Sequence, residues 1–392
     1  MEATKKQNTR LIILAFTVMA LFGFLMNLRG ALIPSFRNSF NVSYSSIGLM
    51  IFVADIGYMI ASFFGGVAGD KYGLKSVLTC GFVIVILSVL SMTYIDSFIL
   101  LVIVMFLISI GMGSMEICLN ALGARIFIAN AAIMMNFLHF FYGVGSSVSP
   151  KYVGWLLMSN IPWKEVYLYS LILISIIFIY LLFTSFPQKD EKHNTQKIPL
   201  GTFVSDKRVW LFSGLLGFCI VVEAGIGTWL VNFLQVFYSM NVNDSSFYMS
   251  LFFIFFTAGR LAGGFIVEKL GYIKALFYFT LSTLMLLLFG LILGGGWIIL
   301  FSLTGFFISV MYPTIMTIIM KEFTKDTTAA MGLIITAGGA VNMVFNWLIG
   351  KTSDYFGVWT GFASILIYAS MIIVLLLALK GSLVNKYHKL KE

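Results

Sequence analysis

Long apolar runs, separated by short polar breaks, recur along the whole chain and constrain its fold more than any other feature. Twelve candidate spans occupy residues 11–33, 45–68, 76–94, 98–122, 131–157, 165–185, 209–236, 245–267, 275–293, 297–320, 329–350 and 358–380. A helix needs about 20 apolar residues to cross the hydrocarbon core. Only 10% of the residues are charged, whereas soluble domains carry roughly 25%. We therefore predict an all-α polytopic membrane protein with 12 transmembrane helices in the lipid bilayer.

The net charge of +9 would suit a nucleic-acid partner if the basic residues formed one patch, so their distribution decides its meaning. With a cytoplasmic N-terminus, most of the 25 Lys and Arg fall on the inner side. The outer side keeps Arg37, Lys151, Lys164 and Lys351. By the positive-inside rule, this asymmetry predicts that both termini are cytoplasmic. We expect a multi-pass protein of the cell (inner or plasma) membrane with no nucleic-acid partner.

The longest polar stretch divides the chain near its middle. It covers residues 187–208 and contains the sequence KDEKHNTQK at 189–197. We predict a cytoplasmic linker at 187–208 between an N-terminal six-helix bundle, 1–186, and a C-terminal six-helix bundle, 209–392. We expect the protein to function as a monomer.

Residues that carry enzyme chemistry do not cluster in this sequence. Cys80, Cys118 and Cys219 lie in apolar runs without the spacing of metal ligands. We find no nucleophile–base pair, metal-ligand cluster or phosphate-binding loop. We therefore expect neither an enzyme nor a protein with a metal site or cofactor.

A short pattern recurs after the second and the eighth span. Residues 65–75 read GGVAGDKYGLK, and residues 263–274 read GGFIVEKLGYIK. Two glycines, an acid, a base and a further glycine repeat at a constant offset of 198 residues. Parallel repeats of six spans build the two halves of many transporters. The first copy resembles the loop 2–3 signature of the major facilitator superfamily, which implies two pseudo-symmetric six-helix bundles.

That resemblance implies a conformational role for the loop, which would hold the halves together in one state. Gly73 allows the chain to reverse, Asp70 can meet a helix N-terminus, and Lys75 keeps the loop on the inner side. An ordinary charged turn is the alternative for a single copy of the pattern. The predicted latch residues are Gly66, Asp70, Gly73, Lys75, Arg260 and Glu268.

Ionisable side chains within the spans point most directly to function. Each costs about 2.5–3.5 kcal/mol at mid-bilayer on insertion scales, so it must pair, lose its charge or face water. Glu116, Asp55 and Glu223 are the candidate proton-coupling residues, and a permanently neutral, hydrogen-bonded acid is the alternative. Arg29 either pairs with Glu116 or Asp55 or meets an anionic group of a solute.

Polar side chains at helical spacing accompany these acids. They are Asn120 one turn after Glu116, then Trp229, Asn232 and Gln235 after Glu223, and Asn136, His139 and Tyr142 in the fifth span. Amides and an indole suit a hydroxyl-rich ligand, because hydroxyls need paired donors and acceptors and an aromatic face covers the apolar side of a sugar ring. A packed core position is the alternative for the histidine, and an interfacial position is the alternative for the tryptophan.

Several segments together resemble the fucose–galactose–glucose:proton symporter branch of the superfamily. They are Asn27-Leu28, Glu116 with Asn120, NFLHFFYGVG at 136–145, Glu223 with Asn232, and Met311-Tyr312-Pro313-Thr314. The resemblance implies alternating access around one solute site, with Glu116 as the proton site. The substrate-binding candidates further include Asn27, Arg29, Tyr312 and Asn342. Arg29 and Tyr142 depart from the fucose-permease pattern, which leaves room for an acidic sugar.

These features predict a secondary active transporter that carries a sugar or related small polar solute together with protons. Sodium is the alternative coupling ion, because Asp55, Glu116 and Asn120 also offer oxygen atoms to a hard cation. A drug or metabolite:proton antiporter is the main rival, since Gly143, Ser149-Pro150 and Gly154 partly match a Gly/Pro pattern of exporters. A receptor that transports nothing is disfavoured, because the sequence shows no domain to relay a signal.

Overall fold

The structure is a computed structural model that describes residues 2–127, 131–186, 205–323 and 327–389, and all regular structure in these ranges is helical. The first half contains α1 (Glu2–Phe40), α2 (Tyr44–Tyr72), α3 (Leu74–Leu90), α4 (Phe98–Ile126), α5 (Ala131–Met158) and α6 (Trp163–Phe183). The second half contains α7 (Lys207–Phe237), α8 (Val242–Leu270), α9 (Tyr272–Leu293), α10 (Ile299–Ile308), α11 (Met311–Glu322), α12 (Thr327–Phe356) and α13 (Val358–Lys389). The predicted all-α class is confirmed.

Eleven spans in the described ranges are long and apolar enough to cross a membrane, with α10 and α11 counted as one. The helix α5, which corresponds to the predicted fifth span, is not among these eleven. It is a helix of 28 residues that carries the polar run of Asn136, His139 and Tyr142. Residues 187–204 of the predicted linker lie outside the described residues. The helix α7 begins at Lys207, where the side chain of Asp206 caps it.

The tenth predicted span is two short helices instead of one. The helix α10 ends at Ile308 and α11 begins at Met311, with a turn at Ser309 and Val310. Pro313 has no N–H to donate to the carbonyl one turn earlier, so the hydrogen-bond ladder is interrupted just before it. The interruption places Tyr312 in the first turn of α11.

The repeated loop pattern has the same backbone shape in both halves. The helices α2 and α8 each contain 29 residues, and each ends at a glycine with positive φ. This angle is 89° at Gly73 and 79° at Gly271, and both glycines directly precede the next helix. The structure therefore confirms that the two halves are related bundles of six spans.

We expect Gly73→Ala and Gly271→Ala each to destabilise the protein by about 1–3 kcal/mol, because side chains avoid this region of φ and ψ. Gly264→Ala is the matched control, since Gly264 is helical and an added Cβ there would meet no atom within 4 Å. Alanine in a helix is favoured over glycine by about 1 kcal/mol. When thermal unfolding is measured in detergent, only Gly73→Ala and Gly271→Ala should therefore have a midpoint temperature below that of the wild type. Three equal midpoints would contradict strained turns.

The two halves meet through three helix pairs, namely α5 with α8, α2 with α12, and α1 with α7. Glycines let these helices approach closely. A Cβ added at Gly48 would lie 3.1 Å from atoms of Trp347, and a Cβ at Gly30 would lie 2.6 Å from the carbonyl oxygen of Gly227. Other helix pairs, such as α1 with α5 and α7 with α12, pack within one half. The interface between the halves is therefore formed mainly by six helices, α1, α2 and α5 of the first half and α7, α8 and α12 of the second.

Candidate functional site

The two halves are hydrogen-bonded on the side opposite the chain termini, which we call the closed side. Asp354, near the end of α12, accepts hydrogen bonds from the backbone N–H groups of Tyr44 (2.8 Å) and Ser45 (2.7 Å) and from the Ser45 hydroxyl. Tyr44 and Ser45 begin α2, and the first N–H groups of a helix have no partner within it. A carboxylate of one half therefore caps a helix of the other.

The pair of α5 and α8 joins the halves along a second line. The backbone N–H of Lys151 donates to Ser250 Oγ at 3.1 Å, and its Nζ donates to Asn243 Oδ1 at 2.6 Å. Further from the closed side, Gly143 lies so close to Thr257 that any added Cβ would overlap the threonine side chain. The helices are thus in contact from the closed side to the middle of the interface.

Arg29 pairs with Asp55, one of the two arrangements that the sequence left open. Its Nη2 lies 3.1 Å from Asp55 Oδ1, and the two side chains are 16% and 13% exposed. The other oxygen of Asp55 accepts a hydrogen bond of 3.3 Å from Nδ2 of Asn342 on α12. Both oxygens of this carboxylate are therefore engaged, and the group connects the two halves.

Toward the side of the termini, which we call the terminal side, the same helices present exposed side chains. Asn136 and Ile133 of α5 are exposed, as is Leu261 of α8. An added Cβ at Gly264 of α8 or at Gly339 of α12 would meet no atom within 4 Å. The hydrogen bonds described between the halves thus lie on the closed side and in the middle of the interface, whereas these positions toward the terminal side are exposed or unpacked.

Ionisable side chains of four other helices lie within electrostatic range of Arg260 of α8. They are Glu116 of α4, His139 and Tyr142 of α5, Glu223 of α7 and Tyr312 of α11, and the positive charge of Arg260 acts on each of them. We call these six residues the central cluster. Glu116 and Glu223 belong to different halves and are both half-buried. In the described part of the chain, neither acid forms a salt bridge within 4.0 Å.

The surroundings of Arg260 differ from what the sequence indicated. Its position two turns before Glu268 placed it with the loop latch. In the structure its guanidinium lies over the ring of Phe256, with Cζ at 4.6 Å from the ring centroid. Long helical side chains point back toward the helix N-terminus, which for α8 is away from the loop. Arg260 therefore joins the central cluster.

Trp229 and Gln235 were predicted to continue the polar strip of Glu223 toward the solute. The structure places them nearer to the closed side, where each is bonded inside the second half. Trp229 is 2% exposed, and its Nε1 donates to Asn346 Oδ1 at 2.8 Å. Gln235 Nε2 donates to Ser245 Oγ at 3.1 Å. Helical spacing placed them on one strip but could not indicate where along it the halves close.

The asparagines among the predicted site residues have different surroundings. Asn27 Nδ2 donates to Ser146 Oγ at 3.0 Å and to the Gly23 carbonyl at 2.9 Å, so it holds α1 against α5. Asn120 Oδ1 and Asn232 Oδ1 are buried without a hydrogen-bond partner in the described ranges. A buried acceptor without a partner carries a desolvation cost of about 1–3 kcal/mol. Asn232 is 1% exposed and lies between Trp229 and Gln235 near the closed side, so only Asn120, one turn from Glu116, is placed to accept from a solute.

The loop residues of the predicted latch contact their own half in this conformation. Asp70 lies 3.8 Å from Arg125 of α4. Lys75 Nζ donates to the carbonyl groups of Leu182 and Thr184 at the end of α6, at 2.9 Å each. A latch between the halves remains a prediction for the arrangement in which the terminal side is closed.

Sequence reasoning did not find the contact of Asp354 with the start of α2. The N-cap residue Ser43, which accepts a hydrogen bond from the Ser46 N–H, marks where free N–H groups are expected. The carboxylate that accepts hydrogen bonds from these N–H groups belongs to Asp354, which lies 310 positions further along the chain from Tyr44. No pattern in a single sequence links two positions so far apart.

Two related six-span bundles, joined on one side of the membrane and enclosing ionisable groups from both halves, define a secondary active transporter that works by alternating access. The sequence profile of the Major Facilitator Superfamily matches residues 14–344. The chain belongs to this superfamily, as the resemblance of its loop motif predicted.

Relatives and solved structures of similar architecture are transporters. The glucose/mannose transporter GlcP of Bacillus subtilis is 24% identical over 365 residues, covering 87% of this chain and 89% of that protein. The L-fucose-proton symporter of Escherichia coli is 22% identical over 367 residues, covering 82% and 83%. The crystal structure of a D-xylose-proton symporter superposes with a TM-score of 0.77 at 15% identity, covering 94% of this chain and 96% of that one. The protein is a transporter and not an enzyme.

Proposed function

We propose that this transporter carries a sugar or a related hydroxyl-rich solute across the cell membrane together with protons. The observation that carries the proposal is the pair of half-buried acids, Glu116 and Glu223, which face one interior from different halves and form no salt bridge in the described ranges. A carboxyl group that has no fixed cation partner can bind and release a proton as the halves move. Its proton affinity then depends on the conformation, which is the requirement for coupling.

The nature of the solute is supported by the polar groups around these acids and by the relatives. The partner-free oxygen of Asn120 can accept from a hydroxyl group, and Tyr312 and His139 add further polar atoms. The names of the two relatives specify glucose or mannose and L-fucose. A purely apolar drug would leave these groups without partners, so we favour a polar solute over the antiporter alternative.

Protons are favoured over sodium as the coupling ion. Both oxygens of Asp55 are engaged by Arg29 and Asn342, so this residue does not offer a free ligand to a cation. The asymmetry of basic residues further supports cytoplasmic termini, and with that orientation the closed side faces the outside of the cell.

Uptake by purified protein in proteoliposomes tests this function. An inside-alkaline pH gradient should drive accumulation of at least one labelled sugar from a panel of glucose, mannose, fucose and xylose. A protonophore should abolish it, and sodium should not replace the gradient. Accumulation that requires a sodium gradient would overturn proton coupling, and proton-driven expulsion of a lipophilic dye without sugar uptake would favour the antiporter.

A further inference from the structure

Arg260 makes no hydrogen bond or salt bridge to any described residue, although it lies at the centre of the interface between the halves. Its Nε is buried without a partner, and its guanidinium rests on the ring of Phe256. Arginine has five N–H donors in a planar fork and stays charged in proteins. A charged group at this depth needs acceptors, so a guanidinium without protein partners implies acceptors that arrive from the interior space.

The surroundings of Arg260 show that the protein does not supply those acceptors in this conformation. Four other helices contribute ionisable side chains within electrostatic range of Arg260, namely Glu116, His139, Tyr142, Glu223 and Tyr312, with Cys219 one turn before Glu223. Neither acid closes onto the guanidinium within 4.0 Å in the described ranges. In this conformation the two acids therefore do not occupy the donors of Arg260.

The other intramembrane arginine already has a carboxylate partner. The guanidinium of Arg29 is bonded to Asp55, and that carboxylate is held in turn by Asn342. Of the two arginines within the spans, Arg29 therefore has a carboxylate partner, whereas Arg260 has none within 4.0 Å among the described residues.

We propose that Arg260 binds the transported solute directly, donating two parallel N–H groups to a pair of neighbouring oxygen atoms on it. Two chemical groups offer such a pair, the vicinal hydroxyls of a neutral sugar and the carboxylate of an acidic sugar. A planar fork matches either pair, and a carboxylate gives the stronger, charge-assisted bonds. This assignment deepens the proposed function and rests on it, because it names the residue that recognises the solute.

Binding measured without any gradient separates this inference from proton coupling. A ligand that binds the folded state raises its unfolding temperature. We expect glucose, glucuronate or both to raise the midpoint of the wild-type protein in detergent. In Arg260→Gln and Arg260→Lys, the apparent dissociation constant should increase at least about tenfold, since hydrogen bonds to charged groups are strong and lysine cannot form the bidentate fork. Lys164→Gln, at the start of α6, is the control and should bind as the wild type does.

The possible results have distinct meanings. Glucuronate binding that is lost in both Arg260 variants assigns a carboxylate to the solute, and glucose binding lost in both assigns a vicinal diol. Full rescue by Arg260→Lys, or equal affinity of Arg260→Gln and wild type, would overturn direct bidentate binding. Loss of solute binding in both variants, together with wild-type protein that accumulates no solute in a pH gradient, would support the role of Arg260 and refute the proposed coupling.

Discussion

Proteoliposomes that contain the Glu116→Gln variant are expected to show no proton-driven accumulation of solute, yet to exchange internal for external solute at close to the wild-type rate. Glutamine resembles a protonated glutamic acid in size but cannot release a proton. Symport requires the proton during loaded crossing and its loss before the empty return. The amide therefore permits the first movement and prevents the second.

The comparison with Glu223→Gln shows which acid of the central cluster carries the proton. Both carboxyl groups are half-buried and are influenced by Arg260. Glu165→Gln is the matched control, because Glu165 lies in the first turn of α6, where it accepts a hydrogen bond of 2.9 Å from the Tyr169 hydroxyl. Accumulation should be normal in this control. If accumulation is normal in Glu116→Gln and lost in Glu223→Gln, the proton site is Glu223 of α7 and not Glu116.

Replacing Asp354 with Ala is expected to open the closed side of the protein. The change removes the acceptor for three hydrogen bonds from Tyr44 and Ser45. Hydrogen bonds to charged groups contribute about 1.5–3 kcal/mol each, and water recovers part of this when the side opens. A net loss of about 1.4 kcal/mol would already change the ratio of the two conformations tenfold.

Thiol labelling can measure this shift. Ser246 is 0% exposed and lies against Gly154 of the other half, so Ser246→Cys should react slowly while the side is closed. With Cys80, Cys118 and Cys219 replaced by Ser, adding Asp354→Ala should increase the labelling rate about tenfold or more. Asp70→Ala, at an exposed acid on the terminal side, serves as the control and should not increase it. An unchanged rate in Asp354→Ala would show that the cap does not hold the side closed.

The helices and their repetition could be predicted because they depend on local composition. The 12 predicted spans correspond to the helices found. Gly73 and Gly271, which are 198 residues apart in the repeated pattern, both have a positive φ angle. The interruption before Pro313 was missed, although proline was visible, because apolar residues continue on both sides of it. Composition records that a segment is apolar, whereas backbone hydrogen bonding decides where its helix breaks.

The candidate site could be predicted in its residue types but not in its grouping. Glu116, Glu223 and His139 were recognisable because ionisable side chains are costly in a membrane. That Arg260 acts on these residues could not be recognised, because the acid nearest to Arg260 on its own helix is Glu268. Sequence distance along one helix says little about which side chains of four different helices share an interior.

The amino-acid sequence by itself determined the class of this protein, its number of spans and its division into related halves, because hydrophobic length and the glycine turns act locally. Only the tertiary structure decided that Arg29 pairs with Asp55, that Arg260 is left among the acids, and that Asp354 caps a helix of the opposite half. These contacts depend on the rotation and depth of each helix relative to its neighbours. Those quantities arise from packing between distant segments, which no single segment encodes.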